Sequence, residues 1–267
     1  MQDYHNDTSH ITKSMLSTFM DSPRDYYEQY VTRLAVRKAA TKQMAIGSVC
    51  HAVLLEGMEL SQAFCVYPES CLKVDGTLNG KAAAAYRAEN YLAVAFGKSG
   101  EEVAIERVLD AVRSHALGKL IEQAQMREEV VVSDYLGRGI KCRPDFLCDD
   151  VIYDLKFMED VSESALRRSF KRFRYWLQDA HYSAVCGAEV FRFWVVETGY
   201  PYRIKSVVYD GRSREIASEA WRGAMDHLIA CEKLNAFEDS NSITMTLSPW
   251  EVGADDEGEL VDIGEVD

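Results

Sequence analysis

The spacing of apolar residues in the first part of the chain is that of α-helices. Residues 14–19 begin an amphipathic turn, and the Ser22-Pro23 pair is a helix-start signal. Further helices are predicted over residues 44–55, 81–96 and 101–124. Since none of these segments has a strand pattern, we predict a helical N-terminal third.

Beyond residue 128 the pattern changes to that of β-strands. Residues 129–132 are rich in β-branched side chains, and residues 140–148 and 151–156 are short strand-like runs. The Gly137-Arg138-Gly139 and Asp149-Asp150 segments between them have the composition of tight turns. A three-stranded meander is therefore predicted.

The remaining pattern predicts two helices, two strands and a final helix. The two helices are expected at 162–173 and 176–186, the strands at 190–197 and 202–209, and the last helix at 213–234. This order of elements is that of an α/β domain with a central mixed β-sheet flanked by helices.

Length and composition agree with one domain. The 267 residues are 47% hydrophobic, which excludes a disordered chain, a collagen and a disulfide-dependent miniprotein. The net charge of −13 is unevenly distributed, because residues 251–267 contain eight acids and no base. We expect a single domain over residues 1–250 and an acidic, disordered tail over 251–267, which is a solubilising end, a DNA mimic or a partner-docking segment.

Cysteine usage and the lack of long apolar runs indicate the compartment. The seven cysteines are odd in number and form no C-x-x-C pair, which fits a reducing cytoplasm. The first ten residues are polar, and no apolar run is long enough to cross a bilayer. We expect a cytoplasmic protein without a secretion signal or a membrane span.

Two short segments carry the candidate chemistry. In a β-hairpin, Asp145 and Asp154 can converge, and Asp154 and Lys156 point to the same face because side chains alternate along a strand. Carboxylates suit Mg²⁺ or Mn²⁺, and a nearby lysine can orient an attacking water and stabilise charge on a phosphate. The pattern indicates phosphodiester hydrolysis, although a D-x-K triplet alone also fits a surface ion pair at a strand end.

Two flanking motifs support that interpretation. Gly47 lies one helical turn before His51, and Gln178 and Tyr182 share one helix face. Each motif alone is also compatible with a buried histidine or a half-exposed helix. In their order along the chain, these motifs and the two acids resemble the PD-(D/E)XK nuclease superfamily in its RecB-like branch.

A closer resemblance covers about residues 14–234. Residues 14–26, 46–56 and 141–145 are similar to the nuclease domain of the RecE family, the exonuclease VIII enzymes of phages and prophages. The resemblance implies degradation of linear double-stranded DNA from the 5′ end to mononucleotides, which leaves 3′ single strands for recombination by strand annealing. It also implies a ring-shaped homotetramer that works beside a RecT-like single-strand annealing protein in the cytoplasm of a bacterial host.

The same resemblance assigns roles to residues. It implies that His51, Asp145, Asp154 and the backbone carbonyl of Leu155 bind Mg²⁺, for which Mn²⁺ substitutes. It gives Lys156 the task of positioning the attacking water. The other catalytic positions that it implies, which steer the scissile phosphate and the lysine, are Gln178 and Tyr182.

A basic segment is the main DNA-binding candidate. Residues 167–174 contain five bases and no acid, and the segment also holds Phe173 and is followed by Tyr175 and Trp176. Such a segment can neutralise phosphates while its rings stack on unpaired bases, even in a chain that is acidic overall. The alternative is a solvated helix face with its rings in the core. The five bases are Arg167, Arg168, Lys171, Arg172 and Arg174.

Weaker candidates lie elsewhere. Ser14, Arg24 and Arg33 offer hydroxyl and guanidinium donors for a 5′-phosphate, although a helix cap and solvent-facing arginines are the simpler explanation. Glu56 and Glu129 could lie near the metal or form surface ion pairs.

Three alternatives for the whole chain stay open. The first is another nuclease of the superfamily, either an endonuclease or an iron-sulfur nuclease, and the latter is disfavoured because Cys231 is the one cysteine near the C-terminal end. The second is a catalytically silent DNA-end-binding subunit. The third is an α/β protein whose acids only form surface ion pairs.

Overall fold

The computed structural model describes Tyr4 and residues 7–34 and 42–239. The described residues up to Phe237 form one compact unit. The acidic tail predicted at 251–267 lies outside the described residues. Its disorder, and a single domain over 1–250, therefore stay predictions.

The N-terminal part of the structure is mainly helical. The hydroxyl of Thr12 caps the first helix, and that of Ser22 caps the second, which continues into a π-helical turn at Tyr27–Val31. The helices of this part are α1 (Lys13–Asp21), α2 (Pro23–Tyr26), α3 (Lys42–Leu54), α4 (Leu60–Ala63), α5 (Gly80–Glu89), α6 (Glu101–Ser114) and α7 (Ala116–Glu122).

The prediction that this part lacks strands is wrong. Two three-residue strands, β1 (Phe64–Val66) and β2 (Ala95–Gly97), pair in parallel. Strands of this length are too short to show a period of two, and β2 overlaps the end of the helix predicted at 81–96. The helix predicted at 101–124 is divided, because His115 is extended and its side chain caps α7.

The second part of the chain contains the remaining strands and the crossover helices. Its elements are β3 (Met126–Arg127), β4 (Val131–Tyr135), β5 (Arg138–Cys142), β6 (Phe146–Cys148), β7 (Val151–Met158), α8 (Glu163–Arg172), α9 (Tyr175–Cys186), β8 (Val190–Glu197), β9 (Ile204–Val207) and α10 (Gly211–Leu234).

A five-stranded mixed sheet forms the centre of the molecule. Its strand order is β3-β6-β7-β8-β9. β7 and β8 are parallel and are joined by α8 and α9, whereas the other neighbours are antiparallel. The predicted α/β class with a central mixed sheet is confirmed. Among the described helices, none combines the length and the hydrophobicity that crossing a bilayer requires.

The predicted three-stranded meander is wrong in its connectivity. β4 and β5 form a two-stranded antiparallel sheet of their own, and the strand predicted at 140–148 is interrupted at residues 143–145. Proline at position 144 has no backbone N–H for a ladder, which fits the break. The hairpin turn is Leu136-Gly137, with positive φ at both residues, so Arg138 and Gly139 already belong to β5.

Helices cover both faces of β7. Leu155 and Phe157 pack with α3, α6 and α7 on one face, whereas Ile152 packs with α8 on the other. Because side chains alternate along a strand, Asp154 and Lys156 project on the same side as Ile152. The sheet thus places an acid and a lysine beneath the crossover helices α8 and α9.

Candidate active site

The β6–β7 hairpin brings the two predicted acids together. Phe146 pairs with Tyr153 in the antiparallel ladder, so the next positions, Asp145 and Asp154, lie opposite each other. The Asp149-Asp150 turn that closes the hairpin has positive φ at both residues, as type I′ hairpin turns require. Both acids are buried, with 8% and 2% of their surface exposed.

Asp145 is held by the backbone of the neighbouring strand. Its Oδ2 accepts a short hydrogen bond from the backbone N–H of Leu155. Burial and the charge of Asp154 raise the pKa of Asp145, against the lowering effect of His51 and Lys156. A cation bound beside these two buried carboxylates would offset their mutual repulsion.

Asp154 contacts both the lysine and the glutamine predicted around it. Lys156 Nζ forms an ion pair with Oδ1 of Asp154, and Gln178 Nε2 donates to Oδ2. Lys156 Nζ also lies 5.0 Å from the ring centroid of Tyr175, at the start of α9. Burial lowers the pKa of Lys156, but the electrostatic effects of Asp154, Tyr175 and Asp145 together outweigh burial and raise that pKa, so the surroundings favour the ammonium form.

His51, on α3, faces the same acids. Its Nδ1 lies 3.2 Å from Oε1 of Glu128 and 3.6 Å from Oδ1 of Asp145, whereas Nε2 lies 3.3 Å from the carbonyl oxygen of Leu155. Burial opposes the charged form of the imidazole, but Asp145, Glu128 and Asp154 outweigh it and raise the pKa of His51 to about 9. The surroundings of His51 thus favour a positive charge.

Glu128 completes the cluster and is a residue that the sequence pattern did not indicate. Its φ is 50°, and its backbone N–H donates to the carbonyl oxygen of Asp145 over 3.0 Å. The carboxylate binds His51 and also Nε of Arg143, at 2.9 Å. The neighbouring Glu129, which the sequence offered as an acid near the metal or in a surface ion pair, is exposed. A left-handed backbone at a non-glycine residue is rare, and no local sequence signal marks it here.

The donor set of this cluster fits a hard divalent cation. One donor atom each of His51, Glu128 and Asp145 lie within 4.8 Å of one another. The carbonyl oxygen of Leu155 adjoins His51, and the charge of Asp154 acts on Asp145. Carboxylate and carbonyl oxygens with one imidazole are ligands that suit Mg²⁺ and Mn²⁺.

Tyr182 lies one helical turn after Gln178 on α9 and is partly buried. Its ring makes a T-shaped contact with Phe191, with 5.8 Å between the ring centroids. Burial, and then the charge of Asp154, raise the pKa of Tyr182 well above its ordinary value. Of the predicted pair, Gln178 therefore contacts Asp154 directly, whereas Tyr182 interacts with Asp154 electrostatically.

The predicted basic residues of α8 face solvent. Arg168, Lys171 and Arg172 are exposed, and so is Arg167, whose guanidinium forms an ion pair with Glu163 at 2.7 Å. This basic face ends at the turn between α8 and α9. The structure thus places four of the five bases on the solvent-facing side of one helix.

Arg174 has a different environment from the other four bases. It is partly buried, has a φ of 48°, and donates to the carbonyl oxygen of Ser17 at 3.0 Å and to Asp21 at 2.6 Å. These contacts join α1 to the start of α9. Its observed contacts are structural, and a DNA-binding role for it stays a prediction.

The N-terminal candidates are not brought into the acidic cluster by any contact described. Ser14 is exposed on α1, Arg24 forms an ion pair with Glu28 at 3.0 Å, and Arg33 is exposed. Glu56 is exposed as well. A phosphate-binding role for the first three stays a prediction.

Lys13 is a base near the acids that the sequence pattern did not indicate. Its Nζ donates to the carbonyl oxygen of Phe173 at 2.7 Å, which links α1 to the turn between α8 and α9. Burial, and then the charge of Lys156, lower the pKa of Lys13 to about 8. Two lysines therefore share the electrostatic surroundings of Asp154.

The chain is similar to known proteins in sequence and in fold. Residues 12–242 match the family described as a PDDEXK-like domain of unknown function (DUF3799). The crystal structure of a protein from Eubacterium rectale named "Putative exonuclease" is similar, with a TM-score of 0.58 at 13% identity, over 92% of this chain and 94% of that one. No curated protein is significantly similar in sequence. The chain belongs to the PDDEXK-like family DUF3799 and has the PDDEXK nuclease fold.

Proposed function

We propose that this protein is a metal-dependent exodeoxyribonuclease that degrades linear double-stranded DNA from the 5′ end to mononucleotides. The observation that carries the proposal is the convergence of His51, Asp145, Asp154 and Lys156 at one end of the β6–β7 hairpin in a PDDEXK fold. Buried acids, a histidine and a charged lysine at one point are suited to phosphodiester hydrolysis.

The contacts support a role for each group. His51, Asp145, Asp154 and the carbonyl of Leu155 are the proposed ligands of Mg²⁺, with Mn²⁺ as a substitute. A divalent ion bound there supplies Lewis-acid stabilisation of the charge that develops on the phosphate. Lys156, fixed by its ion pair with Asp154, orients the attacking water and offsets negative charge.

The residues around this centre hold the substrate and the acids. Gln178 fixes the second oxygen of Asp154 by donating to it. Tyr182, one helical turn later on α9, is the second residue proposed to steer the scissile phosphate. The exposed bases of α8 neutralise the DNA backbone. The proposed donors to a 5′-phosphate are Ser14, Arg24 and Arg33.

The resemblance to the RecE family supports the finer parts of the proposal. These are 5′ polarity, 3′ single-stranded products for strand annealing, a ring-shaped homotetramer, a RecT-like partner protein and a phage or prophage origin with action in the bacterial cytoplasm.

Digestion of end-labelled DNA tests the proposal. Linear 5′-phosphorylated duplex, labelled separately at each end, is incubated with Mg²⁺ or with EDTA beside a covalently closed circle. We expect Mg²⁺-dependent release of mononucleotides from the 5′ ends, an intact circle and an inactive Asp154→Ala variant. The matched control is Glu129→Ala, an exposed acid near the site, which should digest normally.

Other outcomes identify the alternatives. Cutting of the circle would indicate an endonuclease built on the same residues. DNA-end binding without cleavage in Mg²⁺ or Mn²⁺ would indicate a silent binding subunit. Release from the 3′ ends would retain the nuclease and overturn the polarity.

A further inference from the structure

The three aromatic residues of the basic segment have different environments. Trp176 packs against the core formed with α1 and α10. The ring of Tyr175 lies 4.8 Å from that of buried Phe170 and 5.4 Å from that of buried Phe193. Phe173, in contrast, is 48% exposed. Of the three rings, Phe173 is the most exposed to solvent.

A short aromatic path joins Phe173 to the proposed centre of chemistry. Lys156 Nζ lies 5.0 Å from the ring of Tyr175, and the rings of Tyr175 and Phe173 are 5.9 Å apart with 33° between their planes. On the outer side, the guanidinium carbon of Arg172 lies 5.4 Å from the Phe173 ring. The ring of Tyr175 therefore lies between the exposed Phe173 ring and Lys156, and the positively charged Arg172 lies beside the Phe173 ring.

The backbone beneath Phe173 is fixed. Its carbonyl oxygen accepts from Lys13 Nζ at 2.7 Å, and its N–H donates to the carbonyl of Ser169 at 2.9 Å. The next residue, Arg174, is anchored to α1 through its guanidinium. A ring presented on a rigid turn loses little freedom when a ligand covers it, which favours binding.

We propose that Phe173 stacks on the unpaired base of the nucleotide that adjoins the scissile phosphate. This rests on the proposed nuclease function and adds how the strand end is held there. Base–aromatic stacking is tolerant of sequence because every base has a π-face, and its loss typically weakens binding by about tenfold. Arg172 beside the ring supplies the positive charge for a neighbouring phosphate.

Binding without cleavage tests this proposal directly. The probe is a duplex with an unpaired 5′ end and a fluorescein label at the far end, and it is titrated with protein in EDTA. One version has normal bases throughout. In the others, a single abasic residue replaces each unpaired nucleotide in turn. For the wild-type protein, we expect one abasic position to weaken binding about tenfold. Phe173→Ala should bind normal DNA about tenfold more weakly and show no further loss at that position.

Two further variants separate stacking from apolar contact or folding. Phe173→Trp should keep the wild-type affinity, whereas Phe173→Leu should bind like Phe173→Ala, because leucine has volume but no π-face. Tyr91→Ala, which removes another exposed ring, should bind like the wild type. Thermal melting checks that each variant is folded.

The outcomes distinguish this proposal from the proposed nuclease function. An equal abasic penalty in the wild type and Phe173→Ala, or full affinity of Phe173→Leu, would overturn the stacking proposal. If the wild type shows the base-dependent binding but cuts no DNA in Mg²⁺ or Mn²⁺, stacking stands and the nuclease proposal fails. If the wild type cuts DNA but its binding does not depend on the unpaired base, the nuclease proposal stands and the stacking proposal fails.

Discussion

Nδ1 of His51 lies 3.2 Å from Oε1 of Glu128, while Nε2 of the same ring lies 3.3 Å from the carbonyl oxygen of Leu155. A histidine whose Nδ1–H is held by a carboxylate has a fixed ring orientation and presents Nε2 to a ligand. Because Arg143 binds the other oxygen of Glu128, the carboxylate is itself held in place. Glu128 is therefore in position to orient His51 toward the proposed metal.

Replacing Glu128 should weaken metal binding. We expect Glu128→Gln to lower the affinity for Mn²⁺ by about 10- to 100-fold, the usual effect of losing a carboxylate that orients a metal-binding histidine. Calorimetric titration with Mn²⁺ measures the change. The matched control is Glu129→Gln, which changes the exposed neighbour and should bind like the wild type. Equal affinities for the two variants would contradict the assigned role.

Replacing Lys156 should separate chemistry from DNA binding. We expect Lys156→Met to slow single-turnover cleavage by at least about 100-fold, because a charge that stabilises the transition state is lost, while the affinity for DNA changes little. The exposed Lys119→Met is the matched control. Cleavage by Lys156→Met at the wild-type rate would show that the D-x-K triplet is only a structural ion pair.

The same substitution should also affect stability. The side chains of Asp154 and Lys156 are 3% and 20% exposed, so removing the lysine leaves a nearly buried carboxylate without its ion-pair partner. Lys156→Met should therefore melt at a lower temperature than the wild type. Removing both charges, in Asp154→Asn with Lys156→Met, should recover part of that loss but none of the activity.

The part of the site that depends on short-range pattern could be predicted from the sequence. Alternation along one strand placed Asp154 and Lys156 on the same face, and the Asp149-Asp150 turn set the register that brings Asp145 opposite Asp154. Helical spacing in turn placed His51 on a helix of the N-terminal part. Each of these relations joins residues that are near in sequence or follows from a regular period.

The parts that depend on tertiary context could not be predicted. Glu128 reaches His51 because its backbone is left-handed, and Lys13 meets Phe173 across 160 residues. Arg174 has the same residue type as the exposed bases of α8, but its partners lie on α1. The sequence alone groups Arg174 with the exposed bases as a DNA-binding candidate. The packing of α1 against the turn between α8 and α9 distinguishes Arg174 from them.

Arg168 and Arg174 should therefore respond differently to the same change. Arg168→Ala should leave the free energy of unfolding unchanged. It should make the slope of log K for duplex binding against log salt concentration shallower by about 0.9 for each lost phosphate contact. Arg174→Ala should lower the free energy of unfolding by about 1 kcal/mol, because hydrogen bonds to Ser17 and Asp21 are lost. Anisotropy at several salt concentrations and urea unfolding measure both. An unchanged stability of Arg174→Ala would contradict its structural role.

His181 is fully buried and is neutral for a geometric reason. Trp221 Nε1 lies 3.1 Å from Nδ1 and donates to it, so the ring hydrogen is on Nε2, which donates to the carbonyl oxygen of Lys141 at 3.0 Å. A second proton would have to be on Nδ1, facing the indole N–H. Burial accordingly lowers the pKa of His181 to about 4, and the nearby charge of Lys13 acts in the same direction.

We expect His181 to make the protein less stable in acid, between its unfolded pKa of 6.5 and its folded pKa of about 4. In that window the unfolded chain binds a proton that the folded protein does not, so the free energy of unfolding falls by up to about 1.4 kcal/mol per pH unit as the pH decreases. Above it, neither state is protonated. Urea unfolding from about pH 7.5 to about pH 4.5 checks this in the wild type and His181→Gln. The variant should be less stable at neutral pH but lose less stability in acid, and parallel pH profiles would contradict the prediction.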